Sequence, residues 1–226
     1  MKPAETLVLT RDKGAIAPPF SANHVLKNTY WLLSLTLLFS AGAAAVTAAL
    51  LLPHPGIVIT LIGYFGFLFL TVRLRNSGWG LVSVFGLTGF MGYTLGPIIS
   101  HYLAMPNGHQ VVMMAMGSTA AIFLGLSAYA TASRRDFSFM GGFLMTGIIV
   151  AFLAGLGAIF FAVPALALTV SAAFVVLMAG LILYQTSQII HGGETNYIMA
   201  TVTLYVSIYN LFTSLLHLLG IGNSNE

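Results

Sequence analysis

Residues 184–198, YQTSQIIHGGETNYI, form a short polar interruption between two long apolar runs. The interruption contains Glu194 and two adjacent glycines, which allow backbone angles that other residues resist. Thr195 or Asn196 is suited to cap a following helix, and Glu194 would lie near that helix's positive N-terminal end. The pattern therefore predicts a tight turn that joins two long apolar helices.

The composition is that of an integral membrane protein. Hydrophobic residues make up 58% of the 226 residues and charged residues 6%, with a mean hydropathy of +0.95. Soluble domains carry roughly 25% charged residues. The low charge content therefore excludes an ordinary soluble domain and makes the lipid bilayer the chain's surroundings.

Seven apolar runs are long enough to span a bilayer, since one transmembrane helix needs about 20 residues. Their predicted bounds are 28–51, 57–72, 79–103, 110–132, 138–161, 165–189 and 197–220. The connections, such as MPNGH and HGGETN, are short and contain residues that end helices. We therefore predict an all-α membrane protein with seven transmembrane helices in one compact bundle, residues 28–220. A flexible N-terminal tail, 1–27, and a short C-terminal tail, 221–226, flank it.

The basic residues indicate how the bundle is oriented. All eight fall on one side of the predicted topology: Lys2, Arg11, Lys13, Lys27, Arg73, Arg75, Arg134 and Arg135. The positive-inside rule then predicts a cytoplasmic N-terminus and, after seven crossings, a periplasmic C-terminus. The formal net charge of +3 thus reflects topology and gives no evidence of nucleic-acid binding.

Small residues recur on two of the predicted helices at spacings that place them on one face. They are Gly86, Gly89, Gly92 and Gly96 in the third run and Gly117, Ala121 and Gly125 in the fourth. Such faces let a neighbouring helix approach closely. We therefore predict close helix packing on both faces.

The seventh run carries a polar stripe on one helical face. Its members follow one another at intervals of three or four: Thr203, Ser207, Asn210, Ser214 and His217. Gln185 and Gln188 of the sixth run are placed to face them across the short turn. Because polar groups facing lipid cost free energy, these side chains should point inward. They serve either as interhelical hydrogen bonds or as the lining of a transport pathway.

The sequence gives little support for an enzyme. There is no cysteine, and none of the five acidic residues lies within a predicted span. An aspartyl protease needs two buried aspartates, and a metalloprotease needs a cluster of histidines and acids. His191 and Glu194 form only a weak metal pattern, and Ser118 with His101 or His217 is a loose nucleophile pair. We expect no enzymatic activity, no cofactor and no metal site.

Several segments together resemble a known family. They are NHVLKNTYWLLSLTLLFSA, PIISHY, GSTAAIF, RRDFSFMGG and YQTSQIIHGGETNYIMATVTLYVSIYNLF. From about His24 onward, the chain resembles the Bax inhibitor family of seven-helix membrane proteins, and more narrowly its bacterial YccA branch. Proteins of that branch associate with FtsH, a membrane-anchored ATP-dependent protease, and restrain its digestion of other membrane proteins. The resemblance therefore implies an inner-membrane protein whose partner is the FtsH protease complex.

Other members of that family are pH-sensitive calcium leak proteins. They use two aspartates on the last two helices, gated with an arginine on the second helix. By position these aspartates correspond to Gln185 and Ser207 here, and Arg73 is a loose match to the arginine. Neither Gln185 nor Ser207 ionises near neutral pH, which disfavours calcium. Arg73, His191 and Glu194 stay as candidate gate or cytoplasmic-face residues.

Two functions follow from these observations. The first is a regulatory membrane protein that binds and restrains FtsH, with the N-terminal tail as a plausible contact. The alternative is a proton or cation leak channel of the Bax inhibitor type, lined by the polar residues of the sixth and seventh helices.

Overall fold

The computed structural model describes residues 19–222, which form seven α-helices joined by short connections. The helices are α1 (Pro19–Ala49), α2 (Ile57–Leu74), α3 (Trp79–Leu103), α4 (Gly108–Ser133), α5 (Gly141–Phe160), α6 (Pro164–Ile190) and α7 (Tyr197–Gly222). A short 3-10 turn, Ser138–Met140, leads into α5. All seven helices are long and apolar enough to cross a membrane, so the predicted fold class is confirmed.

The first helix begins earlier than its apolar run. α1 starts at Pro19, whereas the predicted span starts at residue 28. Proline is well tolerated in the first turn of a helix, and no helix breaker follows it before the apolar residues begin. The polar residues at the start of α1 thus form a helical extension of the span. Residues 1–18 of the predicted N-terminal tail and residues 223–226 of the C-terminal tail lie outside the described residues.

The seventh helix lies at the centre of the bundle. α7 packs against α6, α4, α1 and α3, and it is the most buried of the seven helices. Leu204, Leu211 and Leu216 of α7 have no exposed surface. α2 rests mainly on α3, and α5 rests mainly on α6, so these two helices lie at the periphery. The last helix of the chain therefore holds the others together.

Glycines of α3 allow close approach of α1, as predicted. A Cβ atom on Gly96 would lie 2.7 Å from the carbonyl oxygen of Ala44, and one on Gly92 would collide with the carbonyl oxygen of Ser40. Because these contacts are to backbone atoms, a neighbouring side chain cannot move to make room. The two helices therefore depend on glycine at both positions.

The corresponding prediction for α4 is wrong. Gly117, Ala121 and Gly125 are exposed, and open space surrounds both glycines. α4 packs through a different face, which includes Ala115 and Thr119. Both faces carry small residues, so spacing alone did not distinguish the buried face from the one that faces lipid.

Candidate functional site

The predicted polar stripe of α7 lies at least partly buried along its whole length. Its members are Thr203, Ser207, Asn210, Ser214 and His217. Ser207 is 0% exposed, and its hydroxyl donates to the backbone carbonyl of Thr203 at 2.7 Å. Asn210 donates from Nδ2 to the carbonyl of Val206 at 2.9 Å. Both bonds lie within α7, so they satisfy donors without joining two helices.

His217 makes the interhelical contact of this stripe. Its Nδ1 lies 2.8 Å from the hydroxyl oxygen of Ser171 on α6. The same hydroxyl donates to the carbonyl of Ala167 at 3.0 Å, so the ring nitrogen acts as the donor to Ser171. This histidine therefore ties α7 to α6 away from the turn that connects them.

The two glutamines of α6 lie in different surroundings. Gln185 is 6% exposed, and its Nε2 has no hydrogen-bond partner among residues 19–222. Gln188 instead donates from Nε2 to the hydroxyl of Ser138 at 2.7 Å, in the connection that leads into α5. Gln188 thus binds a connecting segment at the end of the bundle.

A cavity of about 390 Å³, which we call the membrane groove, lies between α2 and α5, with α3, α6 and α7 as its floor. Most of its lining is apolar. The polar residues that line it are Thr60, Tyr64, Thr94, Tyr209 and Asn210. Of the seven residues predicted to line a polar cavity, Asn210 alone lines this one.

Two tyrosines that the sequence analysis did not select make buried bonds between helices. The Tyr205 hydroxyl lies 2.6 Å from the Ser40 hydroxyl on α1 and donates to the carbonyl of Thr88 on α3 at 3.3 Å. The Tyr209 hydroxyl lies 3.0 Å from Oγ1 of Thr94 on α3. Their spacing of four residues on α7 was the available signal, but tyrosine was counted with the apolar residues.

The turn between α6 and α7 is capped by Asn196. Its Oδ1 accepts the backbone N–H groups of Ile198 at 3.0 Å and Met199 at 3.1 Å. Glu194 accepts the backbone N–H of Asn196 at 2.7 Å through Oε1. Gly192 has a φ of 76°, a left-handed conformation that glycine adopts readily. The local geometry predicted for HGGETN is therefore confirmed, and Asn196 is the cap.

The same asparagine joins the turn to the connection between α2 and α3. Its Nδ2 donates to the carbonyl of Arg75 at 3.1 Å and to Oδ1 of Asn76 at 3.0 Å. Arg73 is exposed on the last turn of α2. Two connections thus meet at one end of the bundle.

The connection between α4 and α5 meets them there. The two ring nitrogens of His191 lie 3.1 Å from the carbonyl of Arg134 and 2.9 Å from that of Ser187. Asp136 accepts bonds from the hydroxyl and the backbone N–H of Ser138, at 2.5 and 2.8 Å. These two bonds lower the pKa of the Asp136 carboxyl below its ordinary value. His191 thus contacts the connection between α4 and α5, whereas Glu194 bonds within the turn between α6 and α7.

This end of the bundle carries more basic than acidic side chains, since its connections contain Asp136 and Glu194 as the acids. It contains four arginines, Arg73, Arg75, Arg134 and Arg135, and the described residues form no ion pair with them. Within residues 19–222, no three histidine or acidic side chains gather closely enough to hold a metal ion. The arrangement is suited to binding an anionic surface or partner.

Known proteins resemble this chain over nearly its whole length. The family described as inhibitor of apoptosis-promoting Bax1 matches residues 22–224. An uncharacterised protein of Pseudomonas aeruginosa is 54% identical over 212 residues, which cover 94% of this chain and 96% of that protein. A protein of Escherichia coli K12 named modulator of FtsH protease YccA is 51% identical over 203 residues, 90% of this chain and 92% of that protein. A protein of Escherichia coli O6:H1 with the same identity and coverage is named inner membrane protein YccA.

Proposed function

Because this chain belongs to the Bax inhibitor family of membrane proteins, we propose that it binds the FtsH protease and restrains its digestion of other membrane proteins. One observation carries the proposal. The chain is 51% identical, over 90% of its length, to the Escherichia coli protein named modulator of FtsH protease YccA. The match covers 92% of that protein as well, so the likeness is one between nearly whole chains.

The chain is a multi-pass protein of the bacterial inner membrane. In this proposal it acts by association and needs no active site of its own. Its basic end, where three connections meet, faces the cytoplasm under the positive-inside rule. With that orientation the N-terminus would lie in the compartment from which, in this proposal, the protease takes hold of its substrates.

The packing of the bundle suggests how restraint works. An ATP-dependent protease degrades a membrane protein by pulling its helices out of their surroundings. Here α7 is held by buried bonds of Tyr205 and Tyr209 to α1 and α3. Separating the helices would expose Gln185 and other polar groups to lipid, which costs free energy. A bundle that is engaged but resists extraction keeps the protease occupied.

The N-terminal tail is the proposed handle. Residues 1–18 precede α1 and contain Lys2, Arg11 and Lys13. Deleting residues 2–18 leaves α1 whole, so a loss of binding cannot be attributed to a shortened helix. We expect this deletion to weaken association with the protease and to slow the chain's own degradation. Unchanged turnover would remove the tail from the mechanism while leaving the association intact.

The test is a pull-down from detergent-solubilised native membranes, combined with digestion of a second membrane substrate in cells that lack or overproduce this chain. Co-purification of the protease, with slower digestion on overproduction, is expected. Absence of both would overturn the proposal.

The structure favours the modulator over the ion leak that the sequence left open. Ser207 and Asn210 donate within their own helix, and Gln185 is closed off in the core. The two acids among the described residues, Asp136 and Glu194, lie in connections outside the helices. A cation crossing the bundle would therefore meet no formal negative charge at mid-membrane.

A further inference from the structure

The membrane groove lies at mid-height of the bundle. Tyr64 and Asn210 line it, and each lies near the middle of its helix, α2 (Ile57–Leu74) and α7 (Tyr197–Gly222). Phe152, on the opposite wall, lies near the middle of α5. Because the hydrocarbon core is about 30 Å thick, these residues are about 15 Å from either headgroup layer. The groove is therefore surrounded by acyl chains.

Two polar groups in the groove lack hydrogen-bond partners. Neither the Tyr64 hydroxyl nor Oδ1 of Asn210 bonds any group within residues 19–222. The neighbouring hydroxyls of Tyr209 and Thr94 already bond each other. A hydroxyl or carboxamide left unpaired in hydrocarbon costs free energy. The groove thus presents a donor and an acceptor that its own walls do not satisfy.

The outer edge of the groove offers an apolar surface on which another helix can lie. α2 rests on α3 and α5 rests on α6, so a gap separates α2 from α5 across the surface of the bundle. Its rim is apolar and exposed, with Phe65 49% and Leu153 59% exposed. The rings of Phe65 and Phe152 meet edge to face across the gap, with centroids 5.9 Å apart, so the groove admits a side chain and not a whole helix. Helices pack with the side-chain ridges of one against the surface grooves of its neighbour, so a helix on this rim can project one side chain into the cavity.

An acyl chain fills the gap but offers no hydrogen bond. A lipid headgroup has polar atoms but lies too far from mid-membrane. A hydroxyl or carboxamide side chain of a membrane-spanning helix meets both requirements, because interhelical hydrogen bonds are made at this depth. We propose that the membrane groove docks a transmembrane helix of a partner protein, through a Ser, Thr, Asn or Gln that bonds Tyr64 and Asn210. This deepens the proposed function and rests on it, since it names how a membrane partner is held.

The proposal is tested by photo-crosslinking in native membranes. A photoreactive amino acid replaces Leu153 at the rim, and a matched control replaces Leu124, which is 63% exposed on α4 and does not line the groove. Each adduct is digested and sequenced. We expect adducts from position 153 to contain a peptide from the apolar span of another membrane protein, with a hydroxyl or carboxamide residue in it, and adducts from position 124 to contain lipid.

The polar contact is tested separately with Tyr64→Phe and Asn210→Ala in the crosslinking chain. Each removes one of the unpaired groups, and each should lower the yield of the helix adduct about fivefold, the effect expected for the loss of one interhelical hydrogen bond. Tyr129→Phe is the control, because Tyr129 is exposed on α4 outside the groove. Thermal unfolding and gel filtration check that every variant is folded. If Asn210→Ala is not folded, Tyr64→Phe still tests the contact, because it keeps the aromatic ring and removes only the hydroxyl.

Each outcome decides the question. Lipid adducts alone at position 153, or labelling of Leu153→Cys by a water-soluble thiol reagent, would overturn the proposal, as would a helix adduct that both variants leave unchanged. Co-purification of the protease without a helix adduct would preserve the proposed function and refute the groove. A helix adduct that depends on Tyr64 and Asn210, in cells whose digestion is unaffected, would support the groove and refute the proposed function.

Discussion

The hydroxyl of Tyr205 joins α7 to both α1 and α3 in the most buried part of the bundle. Tyr205→Phe removes this group and leaves the Ser40 hydroxyl without its partner. We expect the free energy of unfolding in detergent to fall by about 1 kcal/mol, the usual value for an interhelical hydrogen bond. Tyr129→Phe, at a tyrosine that is 47% exposed, should leave it unchanged. Equal effects of the two changes would show that the buried bond contributes nothing.

Asn196 makes more bonds than its small side chain suggests. Asn196→Ala removes the cap of α7 and the contacts with Arg75 and Asn76. A helix cap contributes about 1 kcal/mol, so we expect at least that loss in the free energy of unfolding. Thr195→Ala is the matched control, because Thr195 is exposed at the adjacent position. A larger loss of stability for Thr195→Ala than for Asn196→Ala would show that Asn196 is not the cap.

The chemical role of a single residue was easier to predict from the sequence than the residues it contacts. Residue type and position near a turn identified a cap at Thr195 or Asn196, but the choice depends on backbone angles that the sequence does not show. Gln185 and Gln188 were expected to share one cavity, because the rotation of α6 relative to its neighbours could not be known. Tyr205 was missed because its hydroxyl matters only once Ser40 of α1 is beside it.

At the scale of the helices, the packing of α1 against α3 depends on glycine residues of α3. Gly92→Ala places a methyl group against the carbonyl oxygen of Ser40, which is backbone and cannot move without shifting α1. We expect the free energy of unfolding to fall by about 1 to 3 kcal/mol, the range for overpacking. Gly125→Ala adds the same methyl group in open space on α4 and should have little effect. Denaturant unfolding of the two variants in one detergent measures the difference.

Helix bounds were predictable because the bilayer and the helix breakers act locally. The third predicted span, 79–103, agrees with α3 at both ends. The start of α1 was not predictable from hydropathy, because a helix can continue past the end of its apolar run when no breaker intervenes. The buried face of α4 was also not predictable, since small residues serve equally on a face against protein and on one against lipid.

At the scale of the whole molecule, the order of the helices explains why the C-terminal third carries so many specific contacts. α7 is last in sequence but central in space, so it packs against helices from every part of the chain. α2 and α5 remain peripheral and border the membrane groove. A rigid centre with a gap at its edge is suited to holding a partner without being dismantled, which is what restraint of a protease requires.

The basic end predicts the orientation of the bundle, and this prediction can be measured directly because the chain contains no cysteine. Thr195→Cys places a thiol beside the arginines, and Ala104→Cys places one in an exposed connection at the other end. The positive-inside rule predicts that a membrane-impermeant maleimide labels Ala104→Cys in spheroplasts and labels Thr195→Cys only after the membrane is opened. The reverse pattern would place the basic end in the periplasm. In that case the N-terminus would be out of reach of a cytoplasmic ATP-dependent protease, and the tail could not be its handle.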